Sequence, residues 1–133
     1  MAEVKRIPIN NDLDIVRARV EGRNMARSLG FGIIDQARIA TAISELARNI
    51  VLYAKVGEVI VRQVENVHQC GIEIVCSDSG PGIADIPLVM RDGYSSHQGL
   101  GMGLPGTRRL MDEFEIMSEP GIGTTVTVRK WLK

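Results

Sequence analysis

Glu58-Val59-Ile60-Val61-Arg62-Gln63-Val64-Glu65-Asn66-Val67, and then Gly71-Ile72-Glu73-Ile74-Val75-Cys76-Ser77, read as two neighbouring strands. Both runs are rich in β-branched residues, and the polar stretch from Glu65 to Gln69 is a turn between them. Strands joined by so short a turn pair antiparallel, because a parallel pair needs a crossover of a dozen residues or more. That excludes a doubly wound parallel sheet for this part of the chain.

Working outward, Val4-Lys5-Arg6-Ile7-Pro8-Ile9 alternates like a short strand, and Pro8 assigns it to a sheet edge. Asp12 offers an N-cap to a helix over about 13–29, with Val16, Val20 and Leu29 as apolar positions and Gly30 as its stop. A second helix over about 35–54, capped by Asp35, carries Ile39, Ile43, Leu46, Ile50 and Tyr53 as a buried stripe. Beyond Gly80-Pro81-Gly82, residues Asp85 to Arg91 suit a short helix, and Gly93 to Gly101 has no periodicity. A third helix is predicted from near Gly103 to about Glu113, with Leu104, Leu110 and Met111 inward. Strands over 114–117 and 124–131 flank the turn Glu119-Pro-Gly-Ile-Gly123. Paired strands separated by helices imply an α+β fold, a two-layer α/β sandwich whose mixed, mostly antiparallel sheet has its helices on one face.

The 133 residues make one domain, 1–133, with no room for a second core. Sixteen basic residues balance sixteen acidic ones, which removes the broad attraction that non-specific nucleic-acid or membrane binding needs. Neither partner is expected. No apolar run approaches a membrane span, and the first residues lack the apolar stretch of a secretion signal, so a cytoplasmic protein is expected. Cys70 and Cys76 sit on one strand about 20 Å apart when extended, too far to bridge, and read as reduced thiols. Nine of the 14 glycines fall between residues 80 and 123, which directs the search for function there.

Glu45 and Asn49 are neighbours on one helical face that lies off the Ile43-Leu46-Ile50 stripe. Asp78-Ser79-Gly80-Pro81-Gly82-Ile83 places a carboxylate at a strand end, followed by glycines that let backbone approach a flat ligand; an adenine amino group suits it. Gly99-Leu100-Gly101-Met102-Gly103-Leu104-Pro105-Gly106 precedes a helix and exposes N–H groups and a positive dipole end to phosphate. Gly101-x-Gly103-x-x-Gly106 formally fits a dinucleotide fingerprint, but no strand precedes it and no second half of such a fold follows. A Walker loop is absent. His68, Cys70, Cys76 and His97 match no zinc spacing, and no serine elbow occurs.

Taken together and in this order, Glu45-x-x-x-Asn49, Asp78-x-Gly80-x-Gly82-Ile83, Gly99-x-Gly101-x-Gly103-Leu104 and Gly123-Thr124 resemble the boxes of the GHKL ATPase superfamily, whose members share the Bergerat fold. Size and the missing phospho-accepting histidine point to its small branch, the anti-sigma-factor-type serine/threonine kinases. Ser44 to Ala54, Gly30-Phe-Gly32 and the run from Gly99 through Phe114 look most like the switch kinases of the bacterial stressosome. Gln98 stands where relatives carry an arginine before the glycine box.

That resemblance implies ATP and Mg²⁺ as cofactors. It implies that Asp78, supported by Thr124, accepts the adenine amino hydrogen bond and that Asn49 holds Mg²⁺. Gly99, Gly101 and Gly103, with Leu100, Met102 and Leu104 between and beside them, would cradle the phosphates, and Gly80, Gly82 and Ile83 would line the base. Glu45 would take the proton from an incoming serine or threonine hydroxyl, and Asp92 to Gln98 would be a lid. Implied partners are STAS-domain scaffold proteins as substrates and a PP2C-type phosphatase that the kinase then activates. An alternative is a nucleotide-gated anti-sigma factor whose output is sequestration of a partner.

Overall fold

The computed structural model describes residues 3–82, Met90 and residues 103–133. Its elements run β1 (Val4–Ile9), α1 (Asp12–Leu29), α2 (Ile33–Asn49), a π-helical turn (Ile50–Ala54), β2 (Gly57–Glu65), β3 (Cys70–Asp78), α3 (Gly103–Leu110), β4 (Glu113–Glu119) and β5 (Gly123–Trp131). The five strands form one sheet in the order β1-β2-β3-β5-β4. All four described pairings are antiparallel, so the expected mixed sheet is antiparallel throughout among the described residues. β1 lies at an edge, where Pro8 removes no ladder donor from a central strand.

In-register partners share a face, and that rule sorts the sheet. Ile7, Val59, Cys76 and Val126 form one row across four strands, and Val61, Ile74 and Val128 another. All seven are buried, and they join Ile15, Ala18, Met25, Ala26, Ile39, Ile43, Leu46 and Ile50 of the helical layer in one core. The helices therefore cover this face.

Several local expectations shift. Asn11, not Asp12, caps α1: its side chain accepts from Asp14 N–H at 3.2 Å, while the Asp14 carboxylate accepts from the N–H of Asn10, the residue before the cap, at 2.8 Å. Gly30, at φ +103°, ends the helix as expected. Val16 and Val20, two of the apolar positions named for this helix, are 45% and 46% exposed. The inward face consists of Ile15, Ala18, Gly22, Met25 and Ala26, because Gly22 lets the helix lie directly against Ile43 and small residues set the approach of α1 to α2.

α2 starts two residues early, with Gly32 as N-cap; Asp35 sits inside the first turn and bonds Arg38 at 2.9 Å. The stripe Ile39, Ile43, Leu46 and Ile50 is buried as expected, whereas Tyr53 is 42% exposed. The π-helical turn carries more residues per revolution than α-helix, so Tyr53 falls out of phase with the stripe. α3 stops at Leu110 rather than near Glu113. Asp112 draws the chain into the sheet, its N–H donating to Arg129 C=O at 2.9 Å and its carboxylate accepting from Trp131 N–H at 2.8 Å.

The opposite sheet face carries a charged row. Arg62, Glu73, Arg129 and Glu113 are successive register partners, joined at 2.5, 2.7 and 3.0 Å. Glu73 is 2% exposed, a buried carboxylate satisfied by two guanidinium groups. Glu113 also accepts from Trp131 Nε1, and the hydrogen bonds from Trp131 and Arg129 hold its carboxyl below the usual glutamate range.

Candidate functional site

One lateral row crosses all five strands at one end of the sheet: Ile9, Gly57, Asp78, Thr124 and Ser118 are successive partners. They share the helix-facing side, since Ile9 on it is fully buried. Asp78 and Thr124 are thus direct cross-strand neighbours, which the order of motifs along the chain could not show. Asp78 Oδ1 accepts from Gly80 N–H at 2.9 Å, turning the chain sharply after β3. Among the described residues its second oxygen accepts no hydrogen bond that would compete with a ligand donor.

Thr124 is fixed from its other side. Its hydroxyl lies 2.8 Å from the Ser118 hydroxyl, which also donates to Gly123 C=O at 3.1 Å. Ser118 is a residue that the sequence reading missed. The hairpin turn between β4 and β5 holds the signal for it, because closing that turn puts Ser118 opposite Thr124.

Two glycines bring the helical layer and the hairpin onto Asp78. A Cβ on Gly80 would stand 2.5 Å from Ala54 Cβ and 2.8 Å from Ala54 Cα, so the loop after β3 is pressed against the π-helical turn. A Cβ on Gly123 would collide with the Asp78 carbonyl, so the start of β5 is pressed against the end of β3. Gly121 N–H donates to Pro81 C=O at 2.8 Å, tying the hairpin turn to the same loop. Ile50, next to Asn49, meets this row as well, its Cγ2 standing 2.8 Å from where a Gly57 Cβ would be.

The end of α2 therefore arrives at the Asp78 end of the sheet. Asn49 is the last residue of α2 and Glu45 lies one turn earlier, on the same face. The Glu45 side chain is only 12% exposed, with Arg48 Nη1 at 3.4 Å. Helical irregularity of the π type is frequent at functional sites, and here it begins at the residue following Asn49. Gly103, at φ +69°, opens α3, whose first half (Leu104, Pro105, Gly106, Thr107) is buried and which packs on α2. No acidic residue occupies the first turn of α3, and Arg108 and Arg109 occupy its last, so no carboxylate of the helix itself offsets the positive end of its dipole.

Of the expected site residues, the structure thus brings Glu45, Asn49, Asp78, Gly80, Gly82 and Thr124 toward one end of the sandwich, and Gly103 and Leu104 open α3, which packs on α2. Ile83, Gly99, Leu100, Gly101 and Met102 lie outside the described residues, as do the expected short helix after residue 84, Met90 apart, and the expected lid at 92–98. An open cleft of about 400 Å³ lined by Ala54, Val56, Gly57, Glu58, Ser77, Asp78 and Ser79 adjoins the same end. Beneath Asp78, burial and then the nearby Asp78 carboxylate push the Cys76 thiol far above its ordinary value of 9.0. Cys70 and Cys76 are both free thiols on β3.

Residues 34–133 match the family described as histidine kinase-, DNA gyrase B-, and HSP90-like ATPase. The serine/threonine-protein kinase RsbT of Bacillus subtilis is 54% identical over 127 residues, 96% of each chain. An anti-sigma F factor of Caldanaerobacter subterraneus subsp. tengcongensis is 30% identical over 138 residues, covering 99% of this chain and 94% of that one. Among solved structures, the RsbU and RsbW domains of Rv1364c from Mycobacterium tuberculosis superpose with a TM-score of 0.66 at 20% identity. That match covers 98% of this chain and 32% of the other, so the shared fold spans about a third of that larger protein. No helix among the described residues is long and apolar enough to cross a membrane.

Proposed function

We propose, from the premise that this chain belongs to the histidine kinase-, DNA gyrase B-, and HSP90-like ATPase family, that it is an ATP-dependent serine/threonine protein kinase of stress signalling. Residues 1–133 act as one nucleotide-binding kinase domain. The observation that carries this reading is the register row that sets Asp78 beside Thr124, with the Glu45 and Asn49 face of α2 arriving at the same end of the sheet. The 54% identity to a serine/threonine-protein kinase supports the choice of phosphoryl acceptor.

In this reading the Asp78 carboxylate, with Oδ1 engaged by Gly80 N–H, accepts the adenine amino hydrogen bond through its second oxygen. Thr124, held by Ser118, supports the base from the neighbouring strand. Guanine presents a carbonyl where adenine presents the amino group, so a carboxylate here selects adenine. The N-terminus of α3 at Gly103 and the glycine run before it receive the phosphates. The amide oxygen of Asn49 is a hard ligand suited to Mg²⁺, and when bound that ion offsets charge on the phosphate oxygens. Glu45 accepts the proton as the substrate hydroxyl oxygen bonds to the γ-phosphorus and ADP departs. Its low exposure keeps competing water from the carboxylate.

STAS-domain stressosome proteins are the proposed substrates, and a PP2C-type phosphatase is the proposed target of the released kinase. The test is transfer of labelled phosphate from ATP to the STAS-domain proteins encoded beside this chain. Glu45→Ala is expected to abolish transfer while retaining nucleotide, and Asp78→Asn, which keeps a carbonyl oxygen for Gly80 N–H, to lose nucleotide. Unimpaired transfer by both variants would sink the residue assignment. A second reading, a nucleotide-gated binding module, is favoured by the end-to-end similarity to an anti-sigma F factor. Under it, Glu45→Ala would retain the full downstream effect.

A further inference from the structure

α1 buries one face and leaves the opposite one uncovered. At about 100° per residue, Leu13, Val16, Val20, Arg23 and Arg27 fall on a single stripe diametrically opposed to Ile15, Ala18, Gly22 and Met25, which are buried. Leu13 is 78% exposed, as open as any aliphatic side chain in a helix of the described structure, and the two valines are nearly half exposed. Arg23 and Arg27 are exposed. Among the described residues Arg23 makes no ion pair, and Arg27 has only an Asn24 side chain at 3.1 Å.

The stripe is ordered: three aliphatic residues occupy its N-terminal half and two arginines its C-terminal half. Because β1 ends in the row that contains Asp78, and α1 starts just after β1, the aliphatic half lies toward the nucleotide end and the arginines toward the far end. α1 is 18 residues long, so the face spans about 27 Å.

We infer that this outer face of α1 is a docking site for an acidic amphipathic helix of a protein partner, one whose aliphatic residues cover Leu13, Val16 and Val20 and whose carboxylates pair with Arg23 and Arg27. Charge complementarity selects that occupant. In a second copy of the chain, the one exposed carboxylate of α1 near this stripe is Asp12, against two arginines without an ion pair among the described residues, so pairing of two α1 faces leaves positive charge facing aliphatic surface. A bilayer is excluded by area, since the other apolar face of α1 is committed to the core and three aliphatic side chains make a poor interfacial anchor. Helix-in-groove recognition of this kind reads anchors at i, i+3 and i+7, the spacing of residues 13, 16 and 20. The docking face does not depend on the kinase reading, because none of its residues belongs to the proposed nucleotide site.

The test uses the full chain and a synthetic helical peptide as long as α1, bearing leucines at i, i+3 and i+7 and glutamates at i+10 and i+14. A second peptide carries the same residues in reverse order. Saturable binding of one of them, weakened about tenfold or more in Arg23→Glu/Arg27→Glu and restored when that variant meets the peptide with lysines in place of glutamates, is expected. Val16→Asp should abolish binding, while ATP affinity and melting temperature stay those of the parent in every variant. Failure of both peptides to bind, binding indifferent to the charge reversal, stronger attachment to anionic phospholipid vesicles, or self-association abolished by Val16→Asp would each overturn the inference.

Discussion

Replacing Gly80 by alanine tests how the nucleotide site is assembled. The new methyl would lie 2.5 Å from Ala54 Cβ and 2.8 Å from Ala54 Cα, whereas carbon atoms rest about 3.5–4.0 Å apart. The π-helical turn and the loop after β3 must therefore part by about 1 Å. Overpacking of this kind costs about 1–3 kcal/mol, and in a domain of this size each kcal/mol lowers the melting temperature by about 4 °C. The separation acts on the end of α2 and on the turn that Asp78 closes through Gly80 N–H. A displacement of this size in a positioned site can cost on the order of 100-fold, so ATP affinity should fall at least tenfold, more than the stability loss alone produces. Gly121→Ala is the control: its φ of +82° disfavours alanine, but nothing stands within 4 Å of the added carbon. It should lose about 1 kcal/mol of stability and keep its ATP affinity. Calorimetric titration with ATP beside thermal unfolding reads both quantities. Wild-type affinity and melting in Gly80→Ala would refute the view that contact between Ala54 and Gly80 sets the site.

Ser118→Ala removes the hydroxyl that holds Thr124 at 2.8 Å; about 0.5–1.5 kcal/mol of nucleotide affinity should be lost, and titration showing no change would free Thr124 from that dependence. Glu73→Gln leaves Arg62 without its anion and Arg129 with Glu113 alone, on the face remote from the site. Since Arg62 is half exposed and stays hydrated, the loss should be about 1–3 kcal/mol, below that of a fully buried pair, with ATP affinity unaltered; urea unfolding measures it. Cys76, whose thiol burial holds protonated, should resist alkylation at pH 8 in the native chain and react only after unfolding. Its raised value makes a stabilising contribution that is complete below the unfolded thiol's 9.0 and declines as pH rises beyond it, so Cys76→Ser should flatten the alkaline limb of a stability profile.

The strands were legible because their signal is local. Residues 58–77 alternate and turn within one stretch, and a short turn admits only antiparallel pairing. The face that α1 buries was not legible, since Val16 and Val20 outrank Ala18 and Gly22 in hydropathy, yet the close approach of Gly22 to Ile43 selects the small residues. Tyr53 was misplaced for a different reason: a uniform 3.6-residue period cannot anticipate a π-helical turn. In the site, Glu45 with Asn49, and Asp78 with Gly80, were found as short-range spacings. The row from Ile9 through Gly57, Asp78 and Thr124 to Ser118 was not, because register between distant strands is fixed by pairing across the whole sheet. The charged row of Arg62, Glu73, Arg129 and Glu113 was invisible for the same reason, although Arg62, Glu73 and Arg129 lie in segments assigned as strands; Glu113, expected at the end of a helix, opens β4.

Register also changes what the glycine excess between residues 80 and 123 means. On sequence alone those glycines mark places where backbone could approach a nucleotide. Gly80 and Gly123 instead mark places where backbone approaches backbone or a neighbouring alanine: Gly80 meets Ala54, and Gly123 meets the Asp78 carbonyl. Their effect on a ligand is therefore indirect, through the fit between the helical layer, the end of β3 and the hairpin. That distinction has an observable consequence. A substitution that removes a ligand contact without parting the layers, such as Asp78→Asn, should leave the Cys76 thiol buried and slow to alkylate, because burial, ahead of the Asp78 charge, holds it protonated. Gly80→Ala, by parting the layers above that thiol, should raise its alkylation rate and lower ATP affinity together, and a variant showing one change without the other would separate assembly of the site from recognition by it.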